Sequence, residues 1–171
     1  MSMPWVVREA AQQRIAWIGG SVHHIVLDGA ATDDRLAAFR STMTGGAASP
    51  VHVHDHEDET VFVLDGAGIF WAGDQHWELG AGDTAFLPRR VPHSMLITSA
   101  TADLLTVCTP GGMEAFYRAA GWDLREPVPE DWAVDMAALS AAAEACGQRV
   151  LGPPLTAGDR MPPRHLTDSS R

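Results

Sequence analysis

His52 and His54 stand two residues apart, and Glu59 follows five positions later, within the stretch GAASPVHVHDHEDETVFVLDG at residues 46–66. Side chains two apart on a β-strand point to the same face, so both imidazoles can enter one cavity. The apolar run after Glu59 ends in Asp65-Gly66, a hairpin turn signal. Glu59 then lies at the start of the next strand or across a short turn. Imidazole nitrogen and carboxylate oxygen are ligands for divalent first-row metals, and the stretch reads as most of a metal site. His56 shares the parity of His52 and His54 and is the main rival ligand. Glu57 and Asp58 read as solvated carboxylates. His23 and His24 are adjacent, so only one of them faces inward. His76, in a hairpin, and His165, in the tail, read as solvent-facing.

The elements that must position these side chains are short strands. Residues 22–27 (VHHIVL) are β-branched and read as a strand, followed by turn chemistry in GAATDD. Residues 36–43 alternate with period two up to Gly45-Gly46. Asp65-Gly66 joins 60–64 to 67–72, and Gly73-Asp74 joins that strand to 75–79. Residues 84–87 form a short strand, the Pro-bounded turn PRRVPH delivers His93 to the strand HSMLI, and 102–109 is the last long β-like run. Short strands at regular spacing with Gly/Pro turns indicate a β-sandwich or barrel. After Pro110, MEAFYRAAG reads as a helix with Gly121 at C′, and Asp135 is a plausible N-cap for an Ala-rich helix closed by Gly147. The expected organisation is an N-terminal arm (1–17), a β-barrel (18–110), a helical extension (111–151) and an extended or disordered tail (152–171).

The 171 residues suffice for one compact domain. A formal net charge of −10 and the absence of any basic tract argue against nucleic acid as a partner. No apolar run approaches the ~20 residues that span a bilayer, and the first residues lack the apolar core of a secretory signal. Cys108 and Cys146 fit no metal or redox spacing. The expectation is a cytoplasmic protein with reduced thiols.

The β-region resembles the cupin superfamily in both of its signature segments. Gly46, His52, His54, Glu59 and Gly66 satisfy every spacing of the first. In the second, Gly82, Pro88 and His93 match, whereas Arg90 replaces a Gly and Ile97 an Asn. The resemblance implies an all-β jelly-roll barrel (a double-stranded β-helix) with short C-terminal helices. It implies His52, His54, Glu59 and His93 as ligands of one divalent metal: iron, nickel, manganese, cobalt, copper or zinc. Three imidazoles and a carboxylate leave positions open, unlike a closed, thiolate-rich structural zinc site.

Within that superfamily the chain is similar to single-domain proteins of the quercetin 2,3-dioxygenase type. The features are HVH and EDE, the phrase VLDGAG, CTPGGMEAFYRAAG at 108–121, and VLGPP at 150–154. The implied activity is O2-dependent ring opening of a flavonol-like or related aromatic or polyketide enol, with Glu59 as both ligand and proton acceptor. A homodimer through the N-terminal strands is a further implication. The implied pocket draws on Phe39, Val61, Val63, Phe86, Met95, Ile97, Phe116 and Trp122, the alternative for each being ordinary core packing. Two other functions fit the same ligands: a metal-assisted non-oxidative enzyme (isomerase, cyclase or decarboxylase), and a non-catalytic small-ligand-binding protein.

Overall fold

The computed structural model describes residues 4–162. Ten strands come first: β1 (Gln13–Ala16), β2 (Val22–Leu27), β3 (Ala37–Thr44), β4 (Pro50–His54), β5 (Asp58–Asp65), β6 (Ala67–Ala72), β7 (Gln75–Gly80), β8 (Thr84–Leu87), β9 (His93–Ile97) and β10 (Thr101–Thr109). Then follow α1 (Glu114–Ala120), β11 (Trp122–Asp123), α2 (Met136–Ala145) and β12 (Gln148–Pro154). They form two antiparallel sheets, ordered β11-β1-β2-β3-β10-β5-β8 and β12-β4-β9-β6-β7. This is an all-β jelly roll with two helices. No helix among the described residues is long and apolar enough to cross a membrane.

Alternation sets the inner face. On β3, Phe39, Ser41 and Met43 are buried while Arg40, Thr42 and Thr44 are exposed; on β10, Ala102, Leu104, Thr106 and Cys108 are buried. These two strands pair along their whole length, Phe39 opposite Thr106 and Met43 opposite Ala102. Two apolar clusters result. One packs Val61, Val63, Phe70, Ile97 and Leu104 between the sheets. The other packs Ile15, Ile25, Phe39, Met113 and Phe116 under Leu139 and Ala143 of α2.

Two turns show one match to the signature spacing and one departure from it. Gly66 joins β5 to β6 at φ 81°, the left-handed region where a Cβ is costly. Arg90, standing where the pattern has Gly, holds φ 65°. The turn shape therefore survives without the glycine. Arg90 also donates its backbone N–H to the His54 carbonyl at 2.8 Å, tying the turn before β9 to the end of β4.

Two local expectations are corrected, and the N-terminal arm is found folded on its own domain. Gly121 does not cap α1 in the left-handed region: its backbone is extended (φ −95°, ψ −179°), and glycine is needed there because a Cβ would collide with Ile15. The tail does not begin at residue 152, since β12 pairs with β4 as far as Pro154 opposite Pro50. An edge strand tolerates prolines because it need donate to only one side. The N-terminal segment forms β1, which pairs with β2 of this same chain, Ile15 opposite His23. Asp135 does cap α2, accepting from Ala137 N at 2.8 Å. His165 lies outside the described residues.

Candidate metal centre and its cavity

Each of the four predicted ligands is placed by strand geometry. His52 and His54 share a face of β4, and His93 on β9 sits directly opposite His52 in the register. Glu59 shares its face of β5 with the buried Val61 and Val63, so it points inward from the other sheet. One ligand atom from each of His52, His54, Glu59 and His93 lies within 4.8 Å of every other.

The rings are oriented from behind. His52 Nδ1 donates to the Pro50 carbonyl at 2.8 Å and His93 Nδ1 to the Val91 carbonyl at 3.0 Å. A carbonyl can only accept, so each Nδ1 carries a proton, the tautomer in which a neutral ring offers Nε2 as a ligand. His54 Nδ1 faces Glu57 Oε2 at 3.7 Å, an electrostatic contact longer than a hydrogen bond. Glu59 Oε2 lies 3.3 Å from His93 Nε2 and 3.8 Å from His54 Nε2. Both of those nitrogens are buried without a hydrogen-bond partner, a costly state unless something occupies the space between them. Three imidazoles and a carboxylate converging in this way fit a divalent transition metal. Thiolates take no part: Cys108 is buried with its Sγ against Met113 Sδ, and burial pushes its pKa well up.

The charges suit ligation. Burial, reinforced by His93 and His54, pushes the His52 pKa down to about 3, leaving it neutral. Burial alone would raise Glu59, but His93 and the neighbouring imidazoles outweigh it and hold the carboxyl at about 2. Burial lowers His54, but Glu57 and Glu59 outweigh it and its pKa is raised. Metal ligands must be deprotonated to bind, and at neutral pH His52 and Glu59 already are.

Two acidic residues and three histidines flank the site. Glu57 is not solvated: it is 5% exposed and packs behind His54. Asp58 is a surface partner of Arg89, at 2.7 Å. The rival ligand His56 is exposed and its ring lies over Gly147. His24 turns outward between Arg14 and Arg40, its register neighbours, whereas His23 is buried at 3% exposure.

A cavity of about 490 Å³ opens beside His52. Its apolar wall includes Trp17, Met95, Phe116, Tyr117, Leu139 and Val150. Of the eight pocket residues expected from sequence, Met95 and Phe116 reach it. Phe39 lies behind the wall, its ring 5.1 Å from Tyr117. Val61, Val63 and Ile97 pack in the core cluster between the sheets. Phe86 is 61% exposed on the outer face of β8, and Trp122 stacks edge-on against Trp132. The residues sequence reasoning missed, Trp17, Tyr117 and Leu139, come from the N-terminal segment and the two helices, whose docking no local pattern specifies.

His23 should make the fold sensitive to acid. Its Nδ1 lies 2.7 Å from Ser41 Oγ, the rings of Trp17 and Tyr117 flank it, and burial followed by His24 pushes its pKa down to about 3. The unfolded chain takes a proton near pH 6.5 and the folded one does not, so stability falls as pH drops below 6.5. The loss attributable to His23 is about 2 kcal/mol between pH 6.5 and 5. Urea unfolding of wild type and His23→Gln at both pH values measures it: the variant should lose that much less, and an equal decline in both would exonerate His23.

Taken together, fold and site define a jelly-roll barrel with a three-histidine, one-carboxylate cluster, which a largely apolar cavity adjoins at His52. Residues 39–109 match the cupin domain family, and the fold is the all-β cupin jelly roll. It is 28% identical over 120 residues to quercetin 2,3-dioxygenase of Bacillus subtilis (strain 168), a match covering 70% of this chain. The match spans 35% of that relative's length. Among solved structures, an RmlC-like cupin from Shewanella frigidimarina is similar at a TM-score of 0.55 and 22% identity, covering 67% of this chain and 98% of that one. KdgF from Halomonas sp. is similar at 0.56 and 17%, covering 65% and 98%. At these identities the solved structures speak to fold alone.

Proposed function

We propose that the protein is a metal-dependent dioxygenase of a flavonol-like or related aromatic enol. The observation that carries this reading is the convergence of the His52, His54, Glu59 and His93 ligand atoms within 4.8 Å beside a cavity walled by aromatic and aliphatic side chains. The likeness to a quercetin 2,3-dioxygenase supports it. A divalent metal held by these four side chains would supply Lewis acidity toward the substrate oxygens and a route for electrons to O2.

The chain's own residues do the rest. Glu59, ionised across the neutral range, accepts the enol proton on a carboxylate oxygen. The carbonyls of Pro50 and Val91 lock the His52 and His93 rings, so the cluster needs no rearrangement to receive a ligand. Phe116, Tyr117 and Trp17, whose ring centroids lie 5.1 to 5.4 Å apart, form a continuous aromatic wall for a flat substrate and keep water from it.

An oxygen electrode with metal-loaded protein and quercetin tests the reading. Stoichiometric O2 uptake with loss of the flavonol absorbance is expected. Turnover of an enol without O2 uptake would replace oxygenation by Lewis-acid chemistry at the same ligands.

A further inference from the structure

Folded proteins rarely leave buried polar atoms unpaired, and each exception asks for an explanation. Among the described residues, the side-chain atoms in this state are His54 Nδ1 and Nε2, His93 Nε2, Glu57 Oε2, Ser21 Oγ, His23 Nε2 and Gln148 Nε2. The first four belong to the metal cluster and the carboxylate behind it. The other three belong to residues that line the cavity, at 1%, 3% and 4% exposure. Unsatisfied polarity is thus confined to the cluster and to the chamber beside it.

The three come from both sheets. Ser21, immediately before β2, and His23, within it, are two apart and both buried, on the side of the seven-stranded sheet. Gln148 opens β12 in the five-stranded sheet, directly opposite His54. His23 is held through Nδ1 by Ser41 Oγ, which fixes the ring. Among the described residues, no Lys, Arg, Asp or Glu lines the cavity.

We infer that Ser21, His23 and Gln148 are the hydrogen-bonding contacts for a neutral, hydroxyl-bearing aromatic ligand, whose chelating oxygens engage the four-residue cluster. The inference rests on the function proposed above and narrows its substrate class. Gln148 Nε2 can only donate and calls for an oxygen acceptor. Ser21 Oγ donates and accepts. His23 Nε2 accepts when Nδ1 donates to Ser41 and donates when it accepts. A hydroxyl group, which both gives and takes, suits all three. A hydrocarbon ring in the same place would leave them desolvated and unpaired, at a loss of about tenfold or more in affinity for each. A carboxylate or phosphate set against these three contacts would be buried with no cationic side chain among the described residues to meet it.

Two flavonols sharing one chelating group separate these possibilities. 3-Hydroxyflavone has the 3-hydroxy-4-keto pair and no other oxygen substituent on its rings; quercetin has the same pair and four further hydroxyls. Both are titrated anaerobically into metal-loaded protein, so that binding is read without turnover. Wild type should bind quercetin at least about tenfold more tightly than 3-hydroxyflavone. In Ser21→Ala/His23→Leu, and separately in Gln148→Met, that preference should fall about tenfold, quercetin binding more weakly and 3-hydroxyflavone, freed of the unpaired groups, binding more tightly, while metal content stays unchanged. Ser21→Ala alone is the arm least able to disturb folding, and its thermal midpoint should not drop, since it removes an unpaired group. Equal binding of the two flavonols by wild type, or an undiminished preference in the variants, overturns the inference and leaves the metal centre and the oxygenase reading standing. Binding of neither compound overturns the flavonol-type reading and this inference with it.

Discussion

Glu59→Gln is expected to keep metal at close to wild-type stoichiometry and to lose about a thousandfold in turnover. The amide matches the carboxylate in size and retains one oxygen, and the three imidazoles are untouched, with two of them still locked through Nδ1 by the Pro50 and Val91 carbonyls. What disappears is the basic oxygen. Glu59 Oε2 lies 3.3 Å from His93 Nε2 and 3.8 Å from His54 Nε2, so the group that accepts the proton sits among the ligands themselves. General-base removal typically costs 10²–10⁴ in rate, and the combined role of Glu59 places the expectation within that range. Elemental analysis gives metal content and O2 uptake gives rate. Activity near wild type would remove Glu59 as the proton acceptor; loss of metal together with activity would reduce it to a ligand.

The convergence of the four candidate ligands was legible because it rests on parity and register. His52 and His54 share a face by spacing alone, and Asp65-Gly66 fixes where β5 ends. The second signature segment brought in His93, whose turn keeps its left-handed residue even though Arg90 stands where the pattern has Gly. Parity indicates a face and not a depth along the barrel. Val61, Val63 and Ile97 do point inward, yet they fill the core between the sheets and not the cavity. On β8 both parities carry apolar side chains: Ala85 and Leu87 turn in, and the larger Phe86 turns out. The cavity's remaining wall depends on β1, α1, α2 and β12 folding back over the sheets, and those contacts are long-range. The prolines that made residues from 152 onward read as a tail are compatible with β12 because it is an edge strand.

Glu57 was hidden for the same reason, and its removal should have the second-largest effect: Glu57→Leu is expected to weaken metal binding 10- to 100-fold. In sequence it is one of three consecutive acids, EDE, whose ordinary fate is solvation. In the fold, chain arriving from β10 covers it, with Gly112 close to its Oε1, and it is 5% exposed behind His54. At 3.7 Å from His54 Nδ1 it favours the tautomer that carries the proton there and leaves Nε2 for the metal. It faces His54 Nδ1 across a wider gap than the hydrogen bonds by which the Pro50 and Val91 carbonyls hold the other two rings, and orients the ring electrostatically. Glu57→Leu leaves that ring free to turn and to change tautomer. Glu57→Gln keeps an acceptor oxygen opposite Nδ1 and should recover most of the affinity. Competition against a chelator of known affinity measures both variants, with circular dichroism to confirm that each is folded. If Glu57→Leu holds metal as tightly as wild type, packing alone orients His54; if Glu57→Gln is as impaired as Glu57→Leu, the negative charge and not the hydrogen-bond acceptor is what the centre requires.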